Sequence, residues 1–263
     1  MSQNEIDLDF LRACLRDAGA LALGQRGLMK AEIKPDHSPV TATDRQVEDF
    51  LIARISARYP GHAILSEESG RRGPAGSPFV WVIDPIDGTR SFAGGLPVWG
   101  VSIGILRDGA PYAGGFYLPV TRELYWGTPR QAFYNDQPLP RLASVDPSNI
   151  MTFLAVQSDA HLYYRITYPR VRSMGSTAAH LAYAATGAAA GVLAHHIGLW
   201  DVAGLLPSLA ATGISVETLS GRPFSPGELL DGRISAEPLL AAHPSLMAQL
   251  REAIQPIEGS LRA

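Results

Sequence analysis

Two carboxylates three positions apart, Asp84 and Asp87, close the apolar run "FVWVIDPIDGT" over residues 79–89. Side chains three apart on a strand point to opposite faces, so these acids converge only if the chain turns between them. Pro85 holds Asp84 extended, and Pro85 with Gly88 makes such a turn plausible. The turn also frees the Ile86 carbonyl to serve as an oxygen ligand, and the amides of Gly88 and Thr89 can open a short helix that favours a phosphate. Glu67 and Glu68 follow a second short apolar run, "HAILS", and Asp201 stands at the start of a helical stretch after "GLW". An aspartate at a helix start is the commonest cap, so Asp201 carries weight only together with the others. If Glu67, Asp84, Asp87 and Asp201 meet, each pair at about 4 Å costs about 1 kcal/mol in water and about 4 kcal/mol at a surface-like dielectric. Divalent cations remove that cost, and an all-oxygen set selects Mg²⁺, Mn²⁺ or Ca²⁺ over zinc. Two such ions about 3.5–4 Å apart can polarise a phosphate and activate water.

The elements that must position these acids are legible as periodicity. Leu8, Leu11, Leu15, Ala18 and Leu21 predict an amphipathic helix over about 5–26. A polar connector, "KAEIKPDHSPV", carries Lys34 and His37, which could close over the site or be solvated. "TDRQVEDFLIARISARYPG" predicts a second helix with a capping box from Thr43 and Gln46, and Asp44 in its first turn. "VWGVSIGILRDG", "APYAGGFYLP", "RELYWGT" and "AFYNDQPL" read as successive antiparallel strands, with turn pairs such as Asp108-Gly109. From about residue 141 strands and helices alternate: "NIMTFLAVQ", "STAAHLAYAATG", "AGVLAH", "WDVAGLLPSLAATG", "ISVETL", and a last helix over about 244–254. That alternation predicts layered mixed α/β packing, an N-terminal α+β half (1–140) with most of the acids and a C-terminal α/β half (141–263) in one compact unit.

Composition narrows the function classes. A chain of 263 residues with a formal net charge of −3 has ample core but no electrostatic lure for nucleic acid or anionic lipid. The single cysteine, Cys14, excludes an intramolecular disulfide and reads as a small buried hydrophobe on a helix. The N-terminus lacks the plan of a signal peptide and the Ala-rich run 178–196 is too polar for a span, so a cytoplasmic protein is expected. Dinucleotide, P-loop, serine-hydrolase and Cys-x-x-Cys motifs are missing from the sequence. His195 and His196 are neighbours, cannot share one strand face and lack His-x-x-x-His spacing, which predicts packing or solvent roles, with substrate contact the alternative because they occupy the segment near Ala194. Arg71 and Arg72 read as a solvated loop, and Arg90 follows the phosphate loop closely enough to help with substrate charge.

"DPIDGT" at 84–89, preceded by "VTATD" at 40–44 and "SEES" at 66–69 and followed by "GSTAA" at 175–179 and "WDVAG" at 200–204, resembles the inositol monophosphatase family of lithium-sensitive, magnesium-dependent phosphatases. The resemblance spans about residues 5–225. It implies an α-β-α-β-α sandwich and a homodimer hydrolysing a small sugar or polyol phosphate monoester. By the same resemblance Glu67, Asp84 and the Ile86 carbonyl hold one Mg²⁺; Asp84, Asp87 and Asp201 hold a second, with Mn²⁺ as a substitute; and Glu67 with Asp44 holds a third through water. Thr89 and Asp44 orient and deprotonate the attacking water, Gly88 and Thr89 amides bind phosphate, and Gly175, Ser176 and Thr177 line the alcohol side. Two departures bear on the substrate. Ala194 stands where inositol-phosphate enzymes of the family often carry an acid, and "AATG" at 210–213 lacks the acid of the usual Glu-Ala-Gly-Gly. "DPIDGTRSF", "GGLPVWG" and "LLP" are also similar to histidinol-phosphate phosphatases of the superfamily, the rival substrate class. Nucleotide bisphosphates rank third, because no basic insertion grips a second phosphate. A role in holding a macromolecule on the same scaffold is the alternative from a different class.

Overall fold

The computed structural model describes residues 5–26, 31–34 and 39–257. His37 lies outside the described residues. Helix α1 (Leu8–Leu23) is capped by the Asp7 carboxylate, which accepts from the Asp9 and Phe10 amides, and it buries Leu11, Cys14, Leu15, Ala18 and Ala22. The connector forms a short antiparallel ladder, β1 (Glu32–Ile33) with β2 (Pro39–Val40). Helix α2 (Ala42–Arg58) begins two residues earlier than the Thr43–Gln46 box predicts. Thr41 is the cap and Asp44 the reciprocal partner; Thr43 is buried inside the first turn and donates to Gln25. The Thr-x-x-acid spacing holds at 41–44 as well, and the shorter aspartate there closes both bonds.

The chain then builds an eight-stranded sheet from β3 (Ala63–Ser66), β4 (Gly70–Arg72), β5 (Phe79–Asp87), β6 (Gly100–Arg107), β7 (Ala110–Leu118), β8 (Glu123–Thr128), β9 (Gln131–Tyr134) and β10 (Gln137–Leu139), with the short helix α3 (Thr89–Ala93) between β5 and β6. Strand order is β10-β9-β8-β7-β6-β5-β3-β4. Only β3 and β5 run parallel. Arg71 and Arg72, expected in a loop, are exposed on the edge strand β4. The stretch 132–139, expected as one strand, folds back at Asn135, whose φ of 52° supplies the hairpin turn.

Past residue 140 come β11 (Phe153–Val156), α4 (Ala160–Tyr163), β12 (Tyr164–Ile166), β13 (Val171–Arg172), α5 (Thr177–Ala185), β14 (Ala189–Ala194), α6 (Trp200–Ala203), α7 (Leu206–Thr212), β15 (Ser215–Thr218), β16 (Leu239–Ala242), α8 (Met247–Ala253) and β17 (Ile254–Pro256). A five-stranded sheet runs β13-β11-β14-β16-β15, and β12 pairs with β17. The helix expected over 200–213 is two helices, since Pro207 belongs in the first turn of its own helix rather than inside a longer one.

Three apolar clusters define the layers. Leu11, Leu15, Leu51 and Ile55 of α1 and α2 pack on Trp81, Ile83 and Ile103. The opposite face of that sheet, with Val80, Val82, Leu106 and Phe116, meets Leu181, Val202 and Leu209 of α5, α6 and α7, which in turn cover Val192 and Ala241 of the second sheet. Leu246, Met247 and Leu250 seal the far face over Leu154, Leu193 and Leu240. The result is the α-β-α-β-α sandwich. Helix α6 seats almost on the backbone of the first sheet: a Cβ at Gly104 would stand 2.4 Å from Ala203 Cβ, and one at Gly114 would stand 2.6 Å from the Gly204 carbonyl. Among the described residues no helix is long and apolar enough to cross a membrane.

Candidate metal-dependent active site

Asp84 and Asp87 meet because β5 does not stay regular. Asp84 pairs with Ser102 and Asp87 with Gly100, so β5 carries one residue more than β6 across this step. Glu67 follows the Ser66–Ile83 pair at the carboxyl end of the parallel strand β3, and its amide bonds the Ile83 carbonyl at 3.2 Å. Ligands gather at such strand ends in open α/β sheets. Helix α6, held close to the sheet, brings Asp201 from the C-terminal part of the chain, with its carboxylate accepting from the Gly198 amide at 2.7 Å.

Oxygens of Asp84, Asp87 and Asp201 all lie within 4.8 Å of one another. Asp84 and Asp87 are buried, and Asp84 Oδ1 has no hydrogen-bond partner. Burial pushes the Asp84 carboxyl well above its usual range, reinforced by Glu67, Asp87 and Asp201. Burial likewise raises Asp201, with Asp87 and Glu67 adding to it. Asp87 is pushed up by burial to about 6, against the opposing pull of Ser176, Ala178 and Thr177. Glu67 lies outside the three-carboxylate group; its Oε1 is 3.0 Å from the Lys34 ammonium, which also contacts Glu68 at 3.0 Å. Burial still pushes Glu67 up to about 7, although Lys34 opposes it.

A divalent cation fits this donor set. The groups are hard oxygens, one buried Asp84 oxygen has no partner, and every carboxylate of the three is held above its normal pKa by desolvation that a bound positive charge would offset.

Beside the acids, the Thr89 hydroxyl lies 3.2 Å from Asp44 Oδ1 and 3.1 Å from the Ile86 carbonyl. Asp44 is itself fixed by the Thr41 amide at 2.8 Å and the Thr41 hydroxyl at 2.5 Å. Gly88, with φ 93°, caps α3; a side chain there would strike the Gly175 carbonyl, 2.7 Å from an added Cβ. Gly175, Ser176 and Thr177, expected toward the alcohol, line the same cleft, and the latter two also bind Asp87: the Ser176 hydroxyl donates to it, as do the Thr177 amide at 3.2 Å and the Ala178 amide at 2.7 Å. Asp87 therefore serves the start of α5 as an added cap. Arg90 is exposed on the cleft wall.

Sequence reasoning missed Glu48, buried one turn after Asp44, which accepts from Ser66 at 2.5 Å and the Glu68 amide at 3.1 Å and so fixes the end of β3. Its four-residue spacing from Asp44 was the available signal. The packing and solvent roles read for His195 and His196 agree with a buried His195 and an exposed His196, but the strand-face reason for them does not apply. Strand β14 stops at Ala194 and His196 has φ 51°, so the alternation of strand faces does not reach them; both line the cleft. Ala194 packs instead with Leu181, Val202 and Leu206. The cleft holds about 810 Å³ and also takes in Gln157, Asp159 and Tyr163.

A layered sandwich with a carboxylate cluster at the junction of its sheets and inner helices is the frame of a metal-dependent phosphatase. The chain belongs to the inositol monophosphatase family, whose sequence profile it matches over residues 9–255. It is 38% identical over 209 residues to an inositol-1-monophosphatase of Synechocystis, covering 75% of this chain and 71% of that protein. A histidinol-phosphatase of Chlorobaculum parvum is 29% identical, covering 94% and 96%. The solved inositol monophosphatase of Anabaena superposes with a TM-score of 0.75 at 27% identity over 94% of each chain.

Proposed function

We propose that this chain is a magnesium-dependent phosphomonoesterase that hydrolyses a small organic phosphate by direct in-line attack of water. The observation that carries the reading is the meeting of Asp84, Asp87 and Asp201 oxygens within 4.8 Å, together with a buried, unpartnered Asp84 oxygen and the Thr89–Asp44 pair. Glu67, Asp84 and the Ile86 carbonyl would hold one Mg²⁺, and Asp84, Asp87 and Asp201 another, with Mn²⁺ a workable substitute and a third, weaker ion near Glu67 and Asp44. Such ions, when bound, neutralise the carboxylates and the charge that develops on phosphate.

The chain's own groups handle the proton. Thr89 Oγ1 sits where it can take a proton from the attacking water while passing its own to Asp44 Oδ1. Asp44 is raised by burial, so it is a better proton acceptor than an exposed carboxylate. Thr41 holds it in place with two bonds to the other oxygen. Asp87, tied to the start of α5, fixes the loop of Gly88 and Thr89 against Gly175 and Ser176. Family membership supports a small sugar or polyol as the alcohol. The Chlorobaculum relative supports histidinol. A cytoplasmic homodimer as the working form is part of the same proposal and is carried over from the family resemblance alone.

The test is inorganic phosphate release from a panel of monoesters with and without Mg²⁺, and with Li⁺ added. Release that requires Mg²⁺ is expected; equal release in excess chelator would overturn the reading.

A further inference from the structure

The turn between β13 and α5, residues 173–176, lies against the loop of Gly88 and Thr89, and Ser173, Gly175 and Ser176 line the cleft. The two segments approach closely enough to exclude a side chain from either glycine. A Cβ on Gly88 would stand 2.7 Å from the Gly175 carbonyl, and one on Gly175 would strike Ser91 Oγ. Gly175 takes φ 94°, a left-handed backbone open to glycine without steric penalty. Its carbonyl accepts from the Ser91 hydroxyl at 3.2 Å. Ser176 follows, caps α5 and donates to Asp87. The same freedom that lets glycine adopt this shape leaves it the least constrained residue of the turn. Strand β13 restrains it little, being two exposed residues at the edge of the second sheet.

His180 supplies the restraint. Its Nε2 accepts the Met174 amide at 2.9 Å, reaching back from α5 across the turn. The imidazole is 1% exposed, inside the alanine-rich helix TAAHLAYAA. Burial pushes its pKa down to about 4, so at neutral pH the ring is uncharged and Nε2 is an acceptor. The proton then sits on Nδ1, which is buried and has no partner among the described residues. A buried donor without a partner destabilises the fold, and a leucine would fill this space without one, so packing does not account for the imidazole.

We propose that His180 is a positioning residue for the hydrolysis: by tying Met174 to α5 it holds Gly175 and Ser176 against Asp87 and the Gly88–Thr89 loop, and so sets the cation site that Asp87 shares with Asp84 and Asp201. This rests on the phosphomonoesterase reading. His180 touches neither cation nor phosphate in this role. It acts through Met174 and Ser176, as the outer hydrogen-bond partners of a metal ligand do.

The test compares the full chain with His180→Leu, which keeps the bulk but lacks an acceptor, and with His180→Gln, whose side-chain oxygen can reach the same amide. Each protein is melted across a Mg²⁺ series and assayed for phosphate release from the monoester that the parent hydrolyses fastest. His180→Leu exchanges an unpaired Nδ1 for an unpaired Met174 amide, so its metal-free melting temperature should stay within about 4 °C of the parent. It should need about tenfold more Mg²⁺ for half of the melting shift and show a kcat about tenfold lower. His180→Gln should return both toward the parent values. His180→Phe, a ring without the acceptor, takes the place of His180→Leu should the leucine variant fail to fold. An acceptor-free variant that keeps the parent's Mg²⁺ midpoint and kcat would overturn the proposal, as would a His180→Gln that recovers neither. If the parent hydrolyses no monoester, the phosphatase reading fails by itself, and the Mg²⁺ midpoints of the variants still decide the role of His180. A parent whose melting does not respond to Mg²⁺ would overturn both.

Discussion

Asp84 is the residue on which opposing demands meet. It is buried, it feels the charge of four other acids, Glu67, Asp87, Asp201 and Asp44, and one of its oxygens has no partner. In the metal-free protein that arrangement is destabilising, and like charges at this range cost about 1–4 kcal/mol per pair. Asp84→Asn should therefore raise the metal-free melting temperature by about 2–4 °C for each kcal/mol relieved. The same variant should lose the melting shift caused by Mg²⁺ and lower kcat/KM by about a hundredfold or more. Calorimetry and phosphate release on the two proteins check both halves; a variant that melts lower and still responds to Mg²⁺ would contradict them. Much of this was legible in the residues: two acids spaced by a proline and followed by glycine and threonine demand a turn and a shared counterion. The double duty of Asp87 was not legible. Its bonds to Ser176, Thr177 and Ala178 cross about ninety positions of sequence, and nothing local announces them.

At the level of elements, α2 carries the accepting end of the proton path, Asp44, and the group that fixes the end of β3, Glu48. Thr41 caps the helix and clamps Asp44; Glu48 one turn on fixes the end of β3. Thr41→Ala should cost about 1 kcal/mol of stability, the usual value of a cap. It should also lower kcat more than it changes KM, because the Asp44 carboxylate loses the Thr41 hydroxyl and keeps, of that residue, only the backbone amide, while the phosphate site keeps its lining. Chemical denaturation and steady-state kinetics test the pair; a fall in stability with kcat intact would leave Thr41 as a cap alone. The helix was readable from periodicity, its first residue was not, because Thr41–Asp44 and Thr43–Gln46 compete on paper and only burial of Thr43 decides. The split at Pro207 and the strand β16, "LLAA", were missed for a related reason: short apolar runs have no period long enough to tell helix from strand.

For the whole molecule, the acids make stability, pH and cation interdependent. Glu67 moves from 4.5 to about 7 and Asp87 from 3.8 to about 6, so the folded chain keeps protons that the unfolded chain has released. Their contribution is full below about pH 4 and is lost as pH rises toward about 7. His180, pushed down to about 4 by burial, acts in the opposite sense, gaining stability as pH rises toward its unfolded value. The difference in melting temperature with and without Mg²⁺ isolates the carboxylates. It should be larger near pH 7.5 than near pH 5, since the cation competes with protons for the same oxygens. A shift that shrinks as pH rises would contradict this.

The layers themselves followed from alternating strands and helices, whereas the far wall of the cleft did not, because Gln157 and Asp159 come from a turn with no motif, Tyr163 ends the one-turn helix α4, and all three meet His195 only in the folded chain.

The most direct measurement is anomalous diffraction from crystals grown with Mn²⁺. The expected result is a manganese peak in contact with the Asp84 carboxylate and shared with Asp87 and Asp201. Crystals of protein that is active with Mn²⁺ but shows no peak among those three carboxylates would contradict the central claim.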